Sequence, residues 1–121
     1  MVKRTGPTNV HLRKLIRHLE KTSKENKAKI WNYVAKLLSR PTRRRVEVNL
    51  GKIDKLSKEN DIILVPGKVL GSGNITKKIT IVAWKFSESA KKKLKNTGIR
   101  IMKIEELIKE NPKGSKVRIV I

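Results

Sequence analysis

The sequence predicts an α/β fold, in which a helical and basic N-terminal region precedes a mixed, partly parallel sheet. Up to residue 60, apolar residues recur mainly at the three- and four-residue spacings of amphipathic helices. From residue 61, short apolar runs alternate with helical segments, which is the order that produces βαβ units. We therefore expect a single domain over residues 9–121, mostly helical in 9–60 and α/β in 61–121, behind an extended basic arm of residues 1–8.

The N-terminal region is expected to contain two helices. The apolar stripe of the first follows an i, i+3, i+4, i+7 pattern and consists of Leu12, Leu15, Ile16 and Leu19. Because Thr22 and Glu25 match the capping-box pattern, a second helix is expected to begin at Thr22. This helix must end by Arg40, since Pro41 disfavours the helical conformation of the residue before it. Its core face is expected to carry Ile30, Val34, Leu37 and Leu38.

Strand and helix signals then alternate to the end of the chain. Val46 and Val48 alternate with polar residues, and Asn49 is positioned to cap a short helix. Ser87 occupies the N-cap position of a later helix that Gly98 terminates. After residue 61 the expected strands lie at 62–65, 79–83, 99–101 and 117–121, and the expected helices lie near 88–96 and 104–110.

Charge is the dominant feature of the composition. The chain has 31 Lys and Arg residues against 10 Asp and Glu residues, which gives a formal net charge of +21 at pH 7. This excess runs through both halves of the chain, and it causes far more self-repulsion than solubility alone requires. The sequence therefore predicts a polyanionic partner.

Membrane and disulfide-bonded classes are disfavoured. The absence of cysteine excludes disulfides and thiolate metal sites, and it favours an intracellular, cytoplasmic location. No apolar stretch approaches the ~20 residues of a membrane-spanning helix. Binding to a membrane surface is also not expected, because the short helices need their apolar faces for the core. We expect neither membrane association nor homo-oligomers.

No catalytic or metal-binding constellation is expected. His11 and His18 are seven residues apart, which is too far for the i, i+4 pairing of a helical metal site. Glu105 and Glu106 fall in a predicted first helical turn, where carboxylates suit the helix dipole. Ser87 has no histidine near it in sequence and serves better as a cap than as a nucleophile. We therefore expect no enzymatic activity, cofactor, metal ion or small-molecule substrate.

The segment 66–73 is rich in glycine and contains Lys68. It does not match the common nucleotide-binding motifs: GxGxxG would require a glycine where Thr76 stands, and GxxxxGK fails when counted from Gly67 or from Gly71. Two interpretations remain open. The loop either lets backbone N–H groups and Lys68 approach a phosphate or ribose, or it forms a hairpin bend.

Two basic segments are candidates for contact with phosphates. Four arginines fall within residues 40–45, and Glu47 is the only acid nearby. Clustered guanidinium groups repel one another, and their planar fork suits phosphate oxygens, so we predict phosphate contact. The arm of residues 1–8 carries Lys3 and Arg4, and it is either disordered or ordered only against RNA.

Base stacking is not expected to be the main mode of binding, because the chain has only four aromatic residues. Trp31 and Tyr33 flank the core face of the second helix and are expected to pack against the first helix. Phe86 is expected to pack beneath the helix that follows it. The remaining mode is recognition of RNA through phosphates, sugars and shape.

Long stretches of the chain resemble a known family. The first comprises Lys68-Val-Leu-Gly71-Ser-Gly73, followed by Ile79, Ile81, Phe86-Ser87, Ala90, Leu94 and Gly98. It is similar at every spacing to the signature of large-subunit ribosomal protein fifteen and its archaeal and eukaryotic relative, protein eighteen. The segments 37–46, 49–53 and 5–9 resemble the eighteen branch in particular, and the compact length resembles the archaeal form.

The resemblance implies a structural protein of the large ribosomal subunit, with an irregular stack of ββα units behind the helical basic region. It also implies binding to large-subunit ribosomal RNA, contact with neighbouring ribosomal proteins, and no enzymatic role. The arm, the arginine cluster and the glycine loop become RNA-facing sites by this resemblance. With the cations of the first helix, the candidate RNA-binding residues are Lys3, Arg4, Arg13, Lys14, Arg17, Arg40, Arg43, Arg44, Arg45, Lys68, Gly71, Ser72, Gly73, Lys77 and Lys78.

Two competing functions are less consistent with the sequence. A chromatin-type architectural protein could use the same charge on duplex DNA, but it would be expected to show minor-groove wedges or dimer symmetry. An RNA-modifying or nucleotide-using enzyme would need a catalytic constellation. The sequence shows no clear minor-groove wedge or dimer symmetry, and it lacks a catalytic constellation.

Overall fold

The computed structural model describes residues 10–40 and 45–121 of the chain. In these ranges the elements are, in order, α1 (Val10–Asn26), α2 (Lys29–Leu38), β1 (Val46–Asn49), α3 (Leu50–Leu56), β2 (Ile62–Leu70), β3 (Thr80–Phe86), α4 (Glu88–Lys95), β4 (Arg100–Lys103), α5 (Ile104–Glu110) and β5 (Val117–Ile119). The predicted α/β class is confirmed, with a helical region ahead of alternating strands and helices. Every element predicted after residue 61 is present, and β2 differs most in length from its prediction.

The sheet is parallel at every pairing in the described ranges. Its order is β1-β2-β3-β4, and β5 also pairs with β2. β3 pairs along one side of β2, whereas β1 and β5 share the other side. β5 pairs with the first half of β2 at Ile62 to Leu64, and β1 pairs with the second half at Gly67 to Leu70. β2 is therefore the central strand.

Helices cover both faces of the sheet. On one face, α3 and α4 enclose an apolar cluster with the strand residues Val48, Ile63, Val65, Ile81 and Ala83. On the other face, α1, α2 and α5 enclose a second cluster with Leu64, Val82 and Met102. Because side chains alternate across a strand, neighbours in sequence enter opposite clusters. The connection from β3 to β4 contains α4 and crosses one face, whereas the connection from β4 to β5 contains α5 and crosses the other. The two connections move in opposite directions across the sheet, so they must use opposite faces to have the same hand.

α2 runs from the amino-terminal ends of the strands toward their carboxyl ends. Near its start, Trp31 Nε1 donates a hydrogen bond of 2.7 Å to the carbonyl of Pro112, which precedes β5. Just beyond its end, Arg45 Nη2 donates to the carbonyl of Arg40 at 3.2 Å. Arg45 directly precedes β1, and β1 pairs with the second half of β2, whereas β5 pairs with the first half. The end of α2 therefore lies farther along β2 than its start. α1 joins α2 through two residues and packs along it, so the pair forms an antiparallel hairpin. The first turns of α1 therefore lie toward the same end as the C-terminus of α2.

β2 continues through Pro66 and Gly67, which the sequence placed in a loop. The register against β3 shifts between Val65 and Lys68, so these two residues form a β-bulge. Proline is tolerated there because the ladder is already interrupted. Gly67 is required because β1 passes so close that a Cβ would overlap the carbonyl oxygen of Val46. Since β2 and β3 pair in parallel, the interpretation of segment 66–73 as a hairpin bend is wrong.

The predicted start of the second helix is also wrong. α1 continues through Thr22 to Asn26, and the Thr22 hydroxyl donates to the carbonyl of His18 at 2.8 Å. Thr22 is buried, so its hydroxyl is satisfied within the helix and is not free to cap another. α1 ends before Lys27, which adopts a positive φ of 51°.

Two cap positions were predicted, and they behave differently. Ser87 caps α4 as expected, because its Oγ accepts a hydrogen bond of 3.2 Å from the backbone N–H of Ala90. Asn49 occupies the N-cap position of α3, but its side chain makes no cap bond. Its Oδ1 instead accepts a hydrogen bond of 3.3 Å from the backbone N–H of Ser72. Asn49 therefore joins α3 to the glycine loop.

The aromatic side chains divide between core and surface. Trp31 is fully buried with residues of α1, and Phe86 packs against the cluster that contains α4, as expected. Tyr33 is 45 % exposed, so the prediction that it packs against the first helix is wrong. Two residues along a helix correspond to about 200° of rotation, so a buried residue 31 turns residue 33 toward solvent.

Asp54 ties α3 to the connection between β2 and β3. Its carboxylate accepts hydrogen bonds from the backbone N–H of Thr76 at 2.8 Å and from the Thr76 hydroxyl at 3.0 Å. The backbone hydrogen bond is the main cause that lowers the pKa of Asp54 below its ordinary value. A lowered folded-state pKa contributes stability above the unfolded value of ~3.9, and this contribution is lost as pH falls through the folded value.

We expect the substitution Asp54→Asn to reduce the acid sensitivity of the fold. The wild type should lose stability between about pH 4 and about pH 2 as Asp54 is protonated, and the variant lacks this loss. The measurement is the urea midpoint at both pH values. Glu20→Gln, at an exposed position of α1, provides a charge-matched control. Equal pH dependence in Asp54→Asn and wild type would contradict the role of these hydrogen bonds.

Candidate nucleic-acid interface

The basic residues of the fold are not neutralised by its own acids. Within residues 10–40 and 45–121, three ion pairs are present: Lys91 with Glu88, Arg100 with Glu110, and Arg118 with Asp61. Each of these cationic side chains is at least half exposed, where an ion pair contributes little stability. Most of the cationic excess therefore remains available to a partner.

Four predicted RNA-binding residues lie at one end of the α1–α2 hairpin. Arg13, Lys14 and Arg17 are exposed on the first half of α1, and Arg40 is exposed just after α2. The buried stripe of α1 faces α2 and the sheet, so these charges project away from the core. We name this set, Arg13, Lys14, Arg17 and Arg40, the helical cations. They lie toward the carboxyl ends of the strands because α2 runs in that direction.

A cavity of about 220 Å³ lies at the same end of the fold, and we name it the Trp84 pocket. The sheet register aligns Glu47 with Lys68 and Lys68 with Lys85, so the three residues form a row across β1, β2 and β3. These residues line the pocket together with Arg45, Val46 and Trp84. The pocket thus collects three cations and one carboxylate.

Trp84 contacts two of these cations. Its ring centroid lies 5.1 Å from Arg45 Cζ and 4.6 Å from Lys85 Nζ, within the range of cation–π interactions. Arg45 Nη2 bonds to the carbonyl of Arg40, whereas Arg45 Nε is buried and has no partner in the described part of the chain. Burial lowers the pKa of Arg45, but an arginine remains charged at neutral pH.

The glycine loop after β2 packs against its own protein. A Cβ on Gly71 would overlap the first turn of α4, and Gly73 has a positive φ of 90° and lies against the backbone of α3. The backbone N–H of Ser72 donates to Asn49, and the carbonyl of Gly73 accepts a hydrogen bond of 2.9 Å from Lys93 Nζ. These contacts hold the loop beside α3 and α4, and they occupy the N–H of Ser72 within the protein.

Two further predicted site residues, Lys77 and Lys78, are not brought to this end. Lys77 Nζ donates to the carbonyls of Asp54 and Ser57 at the end of α3, so its charge stabilises that helix terminus. Lys78 is exposed near the amino-terminal end of β3. The predicted contacts at Lys3, Arg4, Arg43 and Arg44 lie outside the described residues.

Sequence reasoning did not place Trp84 or Lys85 in the site. The parallel pairing of β2 with β3 aligns Lys68 with Lys85, and this long-range register has no local sequence signal. The lysine-rich helix α4 is also visible in the sequence as a local cluster of cations. Its exposed members are Lys91, Lys92, Lys93 and Lys95.

The described ranges show neither a cluster of metal-binding side chains nor a helix that could span a membrane. They contain no group of three or more His, Cys, Asp or Glu residues that could hold a metal ion. His11 and His18 are exposed on α1. Glu106 Oε1 accepts a hydrogen bond of 3.1 Å from the backbone N–H of Lys103, so it stabilises the start of α5. None of the described helices combines the length and the apolar character needed to cross a bilayer.

Comparison with known proteins gives consistent matches over nearly the whole chain. A family model that describes ribosomal proteins 50S-L15 and 50S-L18e, together with a relative from the 60S subunit, matches residues 9–102. The chain is 50 % identical to the large ribosomal subunit protein eL18 of Methanopyrus kandleri, over 96 % of this chain and 95 % of the relative. Proteins of the same name are 46 % identical in Pyrobaculum aerophilum, over 97 % and 96 %, and 49 % identical in Archaeoglobus fulgidus, over 94 % and 97 %.

Proposed function

The chain belongs to the family of ribosomal proteins 50S-L15 and 50S-L18e, and we propose that cations at one end of its fold hold it in the large subunit. Members of this family are structural components of the ribosome and not enzymes. The chain is accordingly a structural constituent of the large ribosomal subunit in the cytoplasm, of the archaeal type. Its part in translation is to brace ribosomal RNA.

Unneutralised charge on a small folded domain is the observation that supports this mode of binding. The helical cations and the Trp84 pocket lie toward the same end of the fold, and none of their basic side chains takes part in the three ion pairs described above. Arg and Lys on a rigid framework bind phosphates and thereby fix the position of a protein on RNA. The cationic residues of the arm and of segment 41–44 would extend the same interface.

The partners follow from this mode. We propose contacts with large-subunit ribosomal RNA and with neighbouring ribosomal proteins, and no membrane, small-molecule substrate or second copy of the chain. Residues 1–8 would act as an extended arm with Lys3 and Arg4 against RNA, ahead of one domain at 9–121. In the glycine loop, the exposed side chain of Ser72 is the group best placed for contact, because Gly71 is buried against α4 and Gly73 lies against α3.

Sedimentation of a cell lysate tests this function. A tagged copy of the chain should move with the large subunit through a gradient that contains enough Mg²⁺ to keep the subunits intact. Stripping the subunits at high salt should release the chain, because phosphate contacts weaken as salt rises. Recovery of the chain at the top of the low-salt gradient, or with chromosomal DNA, would refute the proposal.

A further inference from the structure

We propose that the Trp84 pocket binds a phosphate group of the ribosomal RNA backbone, and that Trp84 is a positioning residue that holds Arg45 and Lys85 in place for it. This inference rests on the proposed function, and it adds Trp84 and Lys85 to the interface. It also assigns a ligand chemistry to one cavity.

The charges around the pocket favour an anion. Arg45, Lys68 and Lys85 line a single cavity of about 220 Å³, and Glu47 is the only acid in its lining. In the described ranges none of the three cations forms an ion pair with Glu47 or with any other acid. Like charges gathered in this way repel one another unless an anion joins them.

Arg45 provides the most specific donor. Its Nη2 is bonded to the carbonyl of Arg40, which fixes the guanidinium plane, while its buried Nε has no partner in the described part of the chain. A buried donor without an acceptor destabilises the fold. The guanidinium lines the pocket, so a phosphate there would compensate its charge. Burial also disfavours the charged form of Arg45 and lowers its pKa. An anion in the pocket would offset this cost of desolvation, so this burial too favours anion binding.

Trp84 holds two side chains of like charge, Arg45 and Lys85, close to each other. One indole ring contacts both Arg45 at 5.1 Å and Lys85 at 4.6 Å, and the negative face of the ring attracts each of them. Their charged ends are thereby held beside the same ring of the pocket before RNA binds. A preorganised pair loses less side-chain entropy on binding than two free side chains.

The test measures the affinity of the full chain for large-subunit ribosomal RNA by filter binding at several salt concentrations. Lys85→Gln should reduce the magnitude of the log–log salt slope by roughly 0.7 to 0.9, the value for one lost phosphate contact. Lys113→Gln, at the opposite end of the sheet before β5, removes the same charge and should leave the slope near wild type. Equal slopes for the two variants would overturn the pocket as a phosphate site.

Aromatic substitutions test the positioning role. Trp84→Leu should weaken binding about tenfold, whereas Trp84→Phe should retain affinity within about threefold, because a phenyl ring preserves a cation–π surface. Circular dichroism and the urea midpoint establish that each variant is folded. If Phe and Leu weaken binding equally, the ring acts only as packing and the positioning role is wrong.

A small anion provides a test that does not depend on RNA. The chain is labelled with 5-fluorotryptophan, and inorganic phosphate is added against sodium chloride of equal ionic strength. The ¹⁹F resonance of Trp84 should shift in a saturable way with phosphate, while that of the buried Trp31 should not move. A Trp84 resonance that responds equally to chloride would overturn the pocket. If the wild-type chain fails to bind ribosomal RNA at all, the proposed function is refuted. The phosphate titration would still report separately on whether the pocket binds an anion.

Discussion

Replacing Trp31 with alanine is expected to lower the free energy of unfolding by about 3 to 5 kcal/mol. The indole is fully buried between α1, α2 and the sheet, and its Nε1 donates to the carbonyl of Pro112 ahead of β5. The substitution leaves a large cavity and removes the hydrogen bond to the carbonyl of Pro112. Because domains are stable by only about 5 to 15 kcal/mol, much of the total would be lost.

Urea unfolding followed by far-ultraviolet circular dichroism measures this effect without relying on tryptophan emission. Tyr33→Ala is the matched control, because Tyr33 is an aromatic residue of the same helix that is 45 % exposed. Its substitution should cost less than about 1 kcal/mol. Similar losses in the two variants would contradict the assignment of Trp31 to the core.

Periodicity and caps predicted the elements well where the controlling interactions are local. Ser87 caps α4 through a bond three residues away, and the spacing Leu12, Leu15, Ile16, Leu19 is the stripe that α1 buries. Thr22 shows the limit of this reasoning. Its capping-box pattern was outweighed by burial of the side chain and by a hydrogen bond to the preceding turn.

Pro66 and Gly67 gave a misleading signal because their role depends on contacts with distant strands. Pro66 and Gly67 are typical of a loop, but here they form a bulge in the central strand. Gly67 is needed because β1 passes directly against it, and β1 lies about twenty residues earlier in the chain. A single sequence does not report such a contact.

In the candidate site, too, local features could be predicted from the sequence and long-range contacts could not. Composition alone indicated a polyanionic partner, and the arginines near residue 40 were visible as a local cluster. The association of Lys68 with Lys85 and Trp84 depends on strand register, so it could not be predicted. Conversely, Lys77 looked available in sequence, but the fold uses it to bind carbonyls at the end of α3.

Replacing the helical cations is expected to have the largest effect on RNA binding. Changing Arg13, Lys14, Arg17 and Arg40 together to glutamine should weaken affinity for large-subunit ribosomal RNA roughly a hundredfold at about 0.1 M salt. The four side chains are exposed and glutamine is a good helix former, so the fold should be retained. The variant still carries a large positive charge, so the loss would reflect position and not total charge.

The central claim is that RNA binding is localised at this end of the fold, and the salt dependence of binding tests it most directly. The control changes Lys24, Lys29, Lys58 and Lys113 to glutamine, which removes the same charge at the opposite end. We expect the log–log salt slope to shrink by about 3 when the helical cations are replaced, and to change by less than about 1 in the control. Equal changes in the two variants would contradict a localised interface and would indicate that the charge acts as a whole.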